Sequence, residues 1–257
     1  MTLVILHRAS LGELPYRQWL EAGDRDIVLL TDQSLTGFAD TAAAELAVLE
    51  LAARTRISGL VALHPGDQIR AGSLRDHLRV PGQTRDQAVA AADSIRAGEL
   101  LAEAGVPVLP RAAAGRISDL YRAAHAWGYP LVVRRRRGTD RAAVAELTDE
   151  AALRAFARGG LTEGARATAA LTVEPQVLGE RQRGPGNAAA AAALRVLDPA
   201  PGHPLEIEAV CDAQGQWRVD TVRYTGHLAP SPAVARAVVR AQATVQQSMV
   251  EPMEAVR

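Results

Sequence analysis

The chain has 257 residues, 48% hydrophobic and 23% charged, with a formal net charge of +0. That length and balance bury a core in one large or two small domains, and the neutral charge provides no field to draw the chain onto nucleic acid or membrane. All 29 basic residues are arginine, which excludes lysine Schiff bases, the P-loop and the kinase strand lysine; the single Cys211 excludes an internal disulfide framework and a multi-thiolate metal site.

Aromatic residues make up 4% of the chain, so the core must be built of Leu, Val and Ala. No apolar stretch approaches membrane-spanning length, and the N-terminus lacks a basic start followed by a signal-like apolar run. The expectation is a cytoplasmic protein with no nucleic-acid or membrane partner.

In chain order, Leu3 to Leu6 reads as a strand and the region around Leu14 to Glu21 as a helix. Ile27 to Leu30 is a second strand, Ala42 to Arg54 a helix, Leu60 to Leu63 a third strand and Asp67 to Leu78 a helix. Strands alternating with helices predict an α/β fold with a small parallel sheet. No G-x-G-x-x-G follows a strand, so a dinucleotide fingerprint is missing. Pro81-Gly82 is turn punctuation and marks a boundary between a leader domain, 1–80, and a second region, 81–257.

Beyond it, one helix is expected from about Arg85 to Ala104, an extended segment at Val106 to Leu109, and a helix from Ile117 to Trp127. Leu131 to Arg136 and Ala142 to Leu147 read as a hairpin across Gly138-Thr139-Asp140. Thr148-Asp149 caps a helix reaching about Arg158, and Leu171 to Val177 is a further strand. Residues 181–204 contain Gly184-Pro185-Gly186 and a six-alanine run, and read as a mobile insertion with a short helix on the alanines. Glu206 to Asp212 and Trp217 to Arg223 form a hairpin. Ser231-Pro232 opens a last helix, with Val234, Val238, Ala241, Val245 and Met249 on one apolar stripe. The stripe must bury against its own sheet or against a protein partner or second copy, through Val234, Val238, Val245 and Met249.

Four stretches in order resemble the ATP-grasp superfamily of carboxylate–amine ligases. They are Pro81-Gly82-Gln83-Thr84 with Ala92-Asp93-Ser94, then Ala104 to Val108, then Gly128-Tyr129-Pro130-Leu131-Val132-Val133-Arg134, and finally Val173 to Glu180. Leu6-His7-Arg8 with Pro15-Tyr16 and Trp19-Leu20 is similar to leader domains of actinobacterial members. The resemblance implies an α/β leader followed by an incomplete ATP-grasp α+β region. It implies phosphoryl transfer from ATP to a carboxylate, giving an acyl phosphate, which needs phosphate-binding cations, a covering loop, magnesium ligands and an adenine slot.

By that resemblance Arg134 takes the place of the strand lysine at the α-phosphate, although a planar guanidinium orients differently from an ammonium; a solvated arginine within the run Arg134 to Arg137 is the other reading. Ser94 stands where a helix lysine is expected, and no cation replaces it. The covering loop from Arg135 to Ala143 has one glycine where the family has several. The resemblance places the adenine edge at Glu174, Gln176 and Val177 and a ribose-binding carboxylate near Glu180; a buried strand with a polar end is the alternative. The family's magnesium ligands lie on strands after a helix like Ser231 to Met249, and Glu251 and Glu254 have no strand context, so no metal ligand is assigned. Three readings follow: a nucleotide-binding protein with impaired or lost catalysis, an active ATP-dependent ligase, and a non-catalytic partner of a complete ATP-grasp enzyme.

Overall fold

The computed structural model describes residues 1–20, 26–138, 142–162, 170–228 and 231–244. Two compact units divide them. The first holds Met1–Ala88, Pro199–Pro204 and the described residues from Thr225 onward; the second holds Val89–Asp198 and Leu205–Tyr224.

The first unit alternates β1 (Thr2–His7), α1 (Tyr16–Leu20), β2 (Asp26–Thr31), α2 (Ala43–Ala52), β3 (Ile57–Ala62) and α3 (Gln68–Leu78). The three strands form a parallel sheet in the order β2-β1-β3. β1 is buried along its whole length, which explains its unbroken apolar run: a central parallel strand is covered on both faces. Val4 and Leu6 turn to one side, against Ala44 and Val48 of α2 and Ala71 and Leu74 of α3. Leu3 and Ile5 turn to the other, where Tyr16 and Trp19 of α1 lie. The turn at Pro81-Gly82 wraps the buried Arg75, whose guanidinium donates to the carbonyls of Leu60 (2.8 Å) and Gln83 (3.2 Å). Gly82 has φ 136, and a Cβ there would sit 2.9 Å from Arg75 Cδ, so both the backbone angle and the space select glycine.

Next come α4 (Arg85–Ala92) and α5 (Ser94–Glu103). The sequence predicts one helix here. The break falls at Asp93, which adopts extended geometry (φ −108, ψ 110) and accepts hydrogen bonds from the amides of Ile95 and Arg96, capping α5. A side chain that serves as N-cap must leave helical geometry, and that ends α4. The segment Val106 to Leu109 is extended and meets Val219: the Leu109 amide donates to the Val219 carbonyl, and the Val219 amide to the Pro107 carbonyl.

The second unit continues with β4 (Ala112–Ala113), α6 (Ile117–Trp127), β5 (Leu131–Arg135), β6 (Ala143–Leu147), α7 (Glu150–Gly159), β7 (Leu171–Pro175), β8 (Arg181–Arg183), α8 (Ala188–Leu197), β9 (Leu205–Cys211) and β10 (Trp217–Tyr224). Two antiparallel sheets result, β4-β7-β5-β6 and β10-β9-β8. In the first, Leu131, Val133, Leu171 and Val173 pack with Leu120 and Ala123 of α6 and Leu153 of α7. In the second, Ile207 and Val219 pack with Leu101 of α5 and Ala189, Ala190, Ala193 and Leu197 of α8.

The predicted hairpins β5–β6 and β9–β10 are present. The stretch 181–204, expected as a mobile insertion, is instead built into the fold. β8 pairs with β9, and α8, capped by the Asn187 side chain on the Ala190 amide, contributes its alanines to the core. Alanine's high helix propensity makes the helix, and its small side chain lets that helix sit close on the sheet.

The last helix, α9 (Pro232–Thr244), belongs to the first unit. It covers the β1/β3 face through Ala235, Val238, Val239 and Ala243. Gly59 of β3 leaves room for a core side chain on this face: a Cβ there would lie 2.7 Å from Leu3 Cδ1. The buried face is rotated from the predicted stripe, with Val238 in the core and Val234 42% exposed; Val245 and Met249 lie outside the described residues. Buried Gln242 explains the difference, because it accepts from the Ala62 amide and donates to the Gly202 carbonyl (2.9 and 2.7 Å). A polar residue on the inner face escapes an apolar count.

Candidate functional site

The sheet β4-β7-β5-β6 has one apolar face under α6 and α7 and one polar face. Alternation places Val132 and Arg134 of β5 on that second face, with Thr172 and Glu174 of β7 paired opposite them. Thr172 and Glu174 are nevertheless almost fully buried, at 0% and 3% exposure.

Glu174 is the centre of this face. Its Oε1 lies 2.5 Å from Arg134 Nε, and its Oε2 lies 3.9 Å from Arg111 Nε. Arg111 lies in the segment before β4, and its side chain is 7% exposed. It donates to the carbonyls of Asp220 (2.5 Å) and Ser94 (3.3 Å), and its Nη2 is 3.8 Å from Asp220 Oδ1. One guanidinium therefore ties β7, β10 and the start of α5 together. Asp220 sits where the β9–β10 register shifts between Val219 and Thr221, and such irregularities re-aim side chains. Its carboxylate also binds Arg181 of β8, which reaches Glu208 at 3.1 Å. Burial disfavours the charge on Arg181, but Asp220 and Glu208 outweigh it and raise the guanidinium above its ordinary value.

A second knot closes the run Arg134 to Arg137. Arg136 and Arg137 both bind Asp93, at 2.9 and 3.2 Å, and the Ser94 amide donates to the Arg136 carbonyl at 3.1 Å. Burial pushes the Asp93 carboxyl up. Arg136, the Arg96 amide and Arg137 more than reverse that and hold it below its ordinary value. Three arginines of the run thus serve carboxylates of their own unit.

The sequence-predicted residues fall as follows. Arg134 and Glu174 come together, each as the other's partner. The Gln176 amide donates to the Pro130 carbonyl at 3.0 Å. Val177 follows, half-buried, in the hinge between β7 and β8. Glu180 is exposed, and its carbonyl accepts from the Cys211 amide at 2.9 Å. Gly179 lets the hinge press against β9: a Cβ there would lie 2.0 Å from the Cys211 carbonyl oxygen. Ser94 is buried at the start of α5, and its Oγ has no hydrogen-bond partner among the described residues, as is also true of Thr172 Oγ1. Thr139, Asp140 and Arg141 of the expected covering loop, and Glu251 and Glu254, lie outside the described residues.

Sequence reasoning missed Arg111, Thr172 and Asp220. Arg111 carried a signal, being the single charge in the apolar stretch Val106 to Ala114. A lone charge in such a stretch is either at the surface or partnered. Asp220 carried none, since its place depends on a register shift.

The arrangement of a three-stranded parallel α/β unit followed by two antiparallel sheets flanked by helices is the ATP-grasp fold, and three solved structures bear this out. A RimK domain protein ATP-grasp from Sphaerobacter thermophilus is 16% identical, with a TM-score of 0.62 over 95% of this chain and 100% of that one. An L-amino acid ligase from Bacillus licheniformis is 15% identical, with a TM-score of 0.63 over 86% of this chain; the match spans 66% of that ligase. N5-carboxyaminoimidazole synthetase from Staphylococcus aureus, complexed with ADP, is 14% identical, with a TM-score of 0.59 over 86% and 69%. No family model matches the sequence, and no curated protein sequence matches it. Among the described residues, no helix is long and apolar enough to cross a membrane, and no group of three or more His, Cys, Asp or Glu side chains is placed to hold a metal ion.

Proposed function

We propose that the protein binds a nucleotide, ATP, on the polar face between the two antiparallel sheets, and that its ligase chemistry is impaired or lost. The observation that carries the binding is the pair Arg111 and Arg134, two cations brought to one enclosed polar face beside the hinge that follows β7. Guanidinium forks suit phosphate oxygens, and the buried hydroxyls of Thr172 and Ser94 add donors. Val177 in the hinge is the residue to meet the base edge, and Glu180 the residue to meet the ribose. The ADP complex of the Staphylococcus aureus synthetase, a protein of the same fold, supports the choice of nucleotide.

The loss of catalysis rests on the carboxylates. Magnesium takes oxygen ligands, usually one or two carboxylates together with phosphate oxygens, and a carboxylate already held by a guanidinium competes poorly for it. Here Asp93, Glu174 and Asp220, the buried acids of the second unit among the described residues, each lie within ion-pair distance of an arginine. Such acids are already neutralised. Isothermal titration with ATP, with and without magnesium, tests the reading. Binding that is independent of magnesium and falls at least tenfold in Arg134→Ala is expected. Magnesium-dependent binding would restore the active-ligase reading, and an unchanged affinity in the variant would remove Arg134 from the site.

A further inference from the structure

We propose that Glu174 is a built-in counter-anion for the site: its carboxylate occupies Arg111 and Arg134 and must be displaced from Arg134 before a polyphosphate can bind. This rests on the nucleotide-binding reading but assigns Glu174 the opposite role from a group that attracts the ligand.

The geometry is that of an anion already in place. One carboxylate oxygen meets Arg134 and the other faces Arg111, so a single buried side chain answers two guanidinium groups from two different elements. Glu174 is 3% exposed, and this removes most of the screening by water that would otherwise weaken its hold. Beside it on the same strand, Thr172 Oγ1 is buried with no hydrogen-bond partner among the described residues. An unpartnered buried hydroxyl on the residue paired with Arg134 across the two strands is a place for an oxygen acceptor that the chain does not itself supply.

A phosphate group entering this face would meet a buried negative charge as well as two positive ones. Like charges at close range in a dry site repel strongly. A ligand with one negative charge gains little by exchanging places with Glu174, whereas a di- or triphosphate brings enough charge to take Arg134 while Arg111 keeps the carboxylate. Glu174 thus sets a threshold in favour of polyphosphates over monophosphates and simple carboxylates.

The test is titration of inorganic tripolyphosphate, and of ATP in parallel, into the wild-type chain, Glu174→Gln and the double variant Glu174→Gln/Arg134→Gln. The expected result is tripolyphosphate binding at least tenfold tighter in Glu174→Gln, with the gain removed in the double variant. Equal or weaker binding in Glu174→Gln overturns the proposal. A gain for tripolyphosphate with no ATP binding by any variant supports the counter-anion but sinks the nucleotide reading. If Glu174→Gln fails to fold, Glu174→Asp keeps the charge and withdraws it by one methylene. A gain of about threefold in that variant supports the proposal, and no gain overturns it.

Discussion

At the scale of single residues, the second unit is governed by what its arginines hold. Asp93 illustrates it best, because one carboxylate caps α5 and binds two guanidinium groups. Arg137 is 63% exposed and adds little, whereas Arg136 is 24% exposed and adds more. Replacing Asp93 with alanine removes a helix cap and the Arg136 pair together, and should destabilise the chain by about 2–3 kcal/mol in urea denaturation at pH 7. The pH dependence follows from the depressed carboxyl. In the unfolded chain Asp93 regains its ordinary value, so the native state holds the proton less tightly. The stabilisation is complete above that ordinary value and is lost as pH falls through the lower native one. The gap between wild type and Asp93→Ala should therefore narrow at pH 3. A gap of the same size at pH 3 and pH 7 would mean that capping by geometry, not charge, carries the effect.

At the scale of elements, the sequence was legible wherever pattern and local chemistry agree. The strand β1, the helix Ile117–Trp127 and both hairpins lie close to where apolar runs, turn residues and caps place them. Glycine and alanine misled at 181–204, since punctuation residues also occur where a helix is packed closely against a sheet. The face of α9 was misread for a different reason. Its inner surface includes Gln242, which bonds to Ala62 and Gly202, residues 180 and 40 positions away. No local window contains those partners. Of the candidate site, Arg134 and Glu174 were legible as residues but not as each other's partner, and Arg111 was not picked out. Gln242→Leu keeps the volume and strands two backbone groups without their hydrogen bonds. It should destabilise the first unit by about 2–4 kcal/mol, read as faster amide exchange in β1 and β3. Unchanged exchange would show that water or another side chain replaces the glutamine.

At the scale of the whole molecule, the chain leaves the first unit in α4, returns to it for the six residues Pro199–Pro204, and returns again from Thr225. The six-residue return is anchored by His203, which is 1% exposed. Its Nδ1 faces the Pro201 carbonyl at 3.1 Å; a carbonyl only accepts, so the neutral ring carries its proton on Nδ1. Burial, and then the positive charge of Arg75, lower the imidazole from 6.5 to about 3. The unfolded chain takes up a proton on this ring below pH 6.5 while the native chain does not. Stability is therefore lost progressively as pH falls from 6.5 toward 3, at about 1.4 kcal/mol per pH unit once protonation of the unfolded ring is complete. Between pH 7 and pH 5 the loss from this residue is about 2 kcal/mol. His7 and His64, both also lowered mainly by burial, act in the same direction. His203→Gln gives up the titration and keeps a polar side chain, so it should be less stable than wild type at pH 7 and lose less stability on going to pH 5. Amide exchange in β1 and β3, corrected for the intrinsic pH dependence, follows the first unit alone. Parallel losses in wild type and variant would assign the acid sensitivity to His7 and His64 instead. A shallower slope in the variant would locate it at the short return segment, six residues whose docking couples the acid tolerance of the first unit to a loop between α8 and β9.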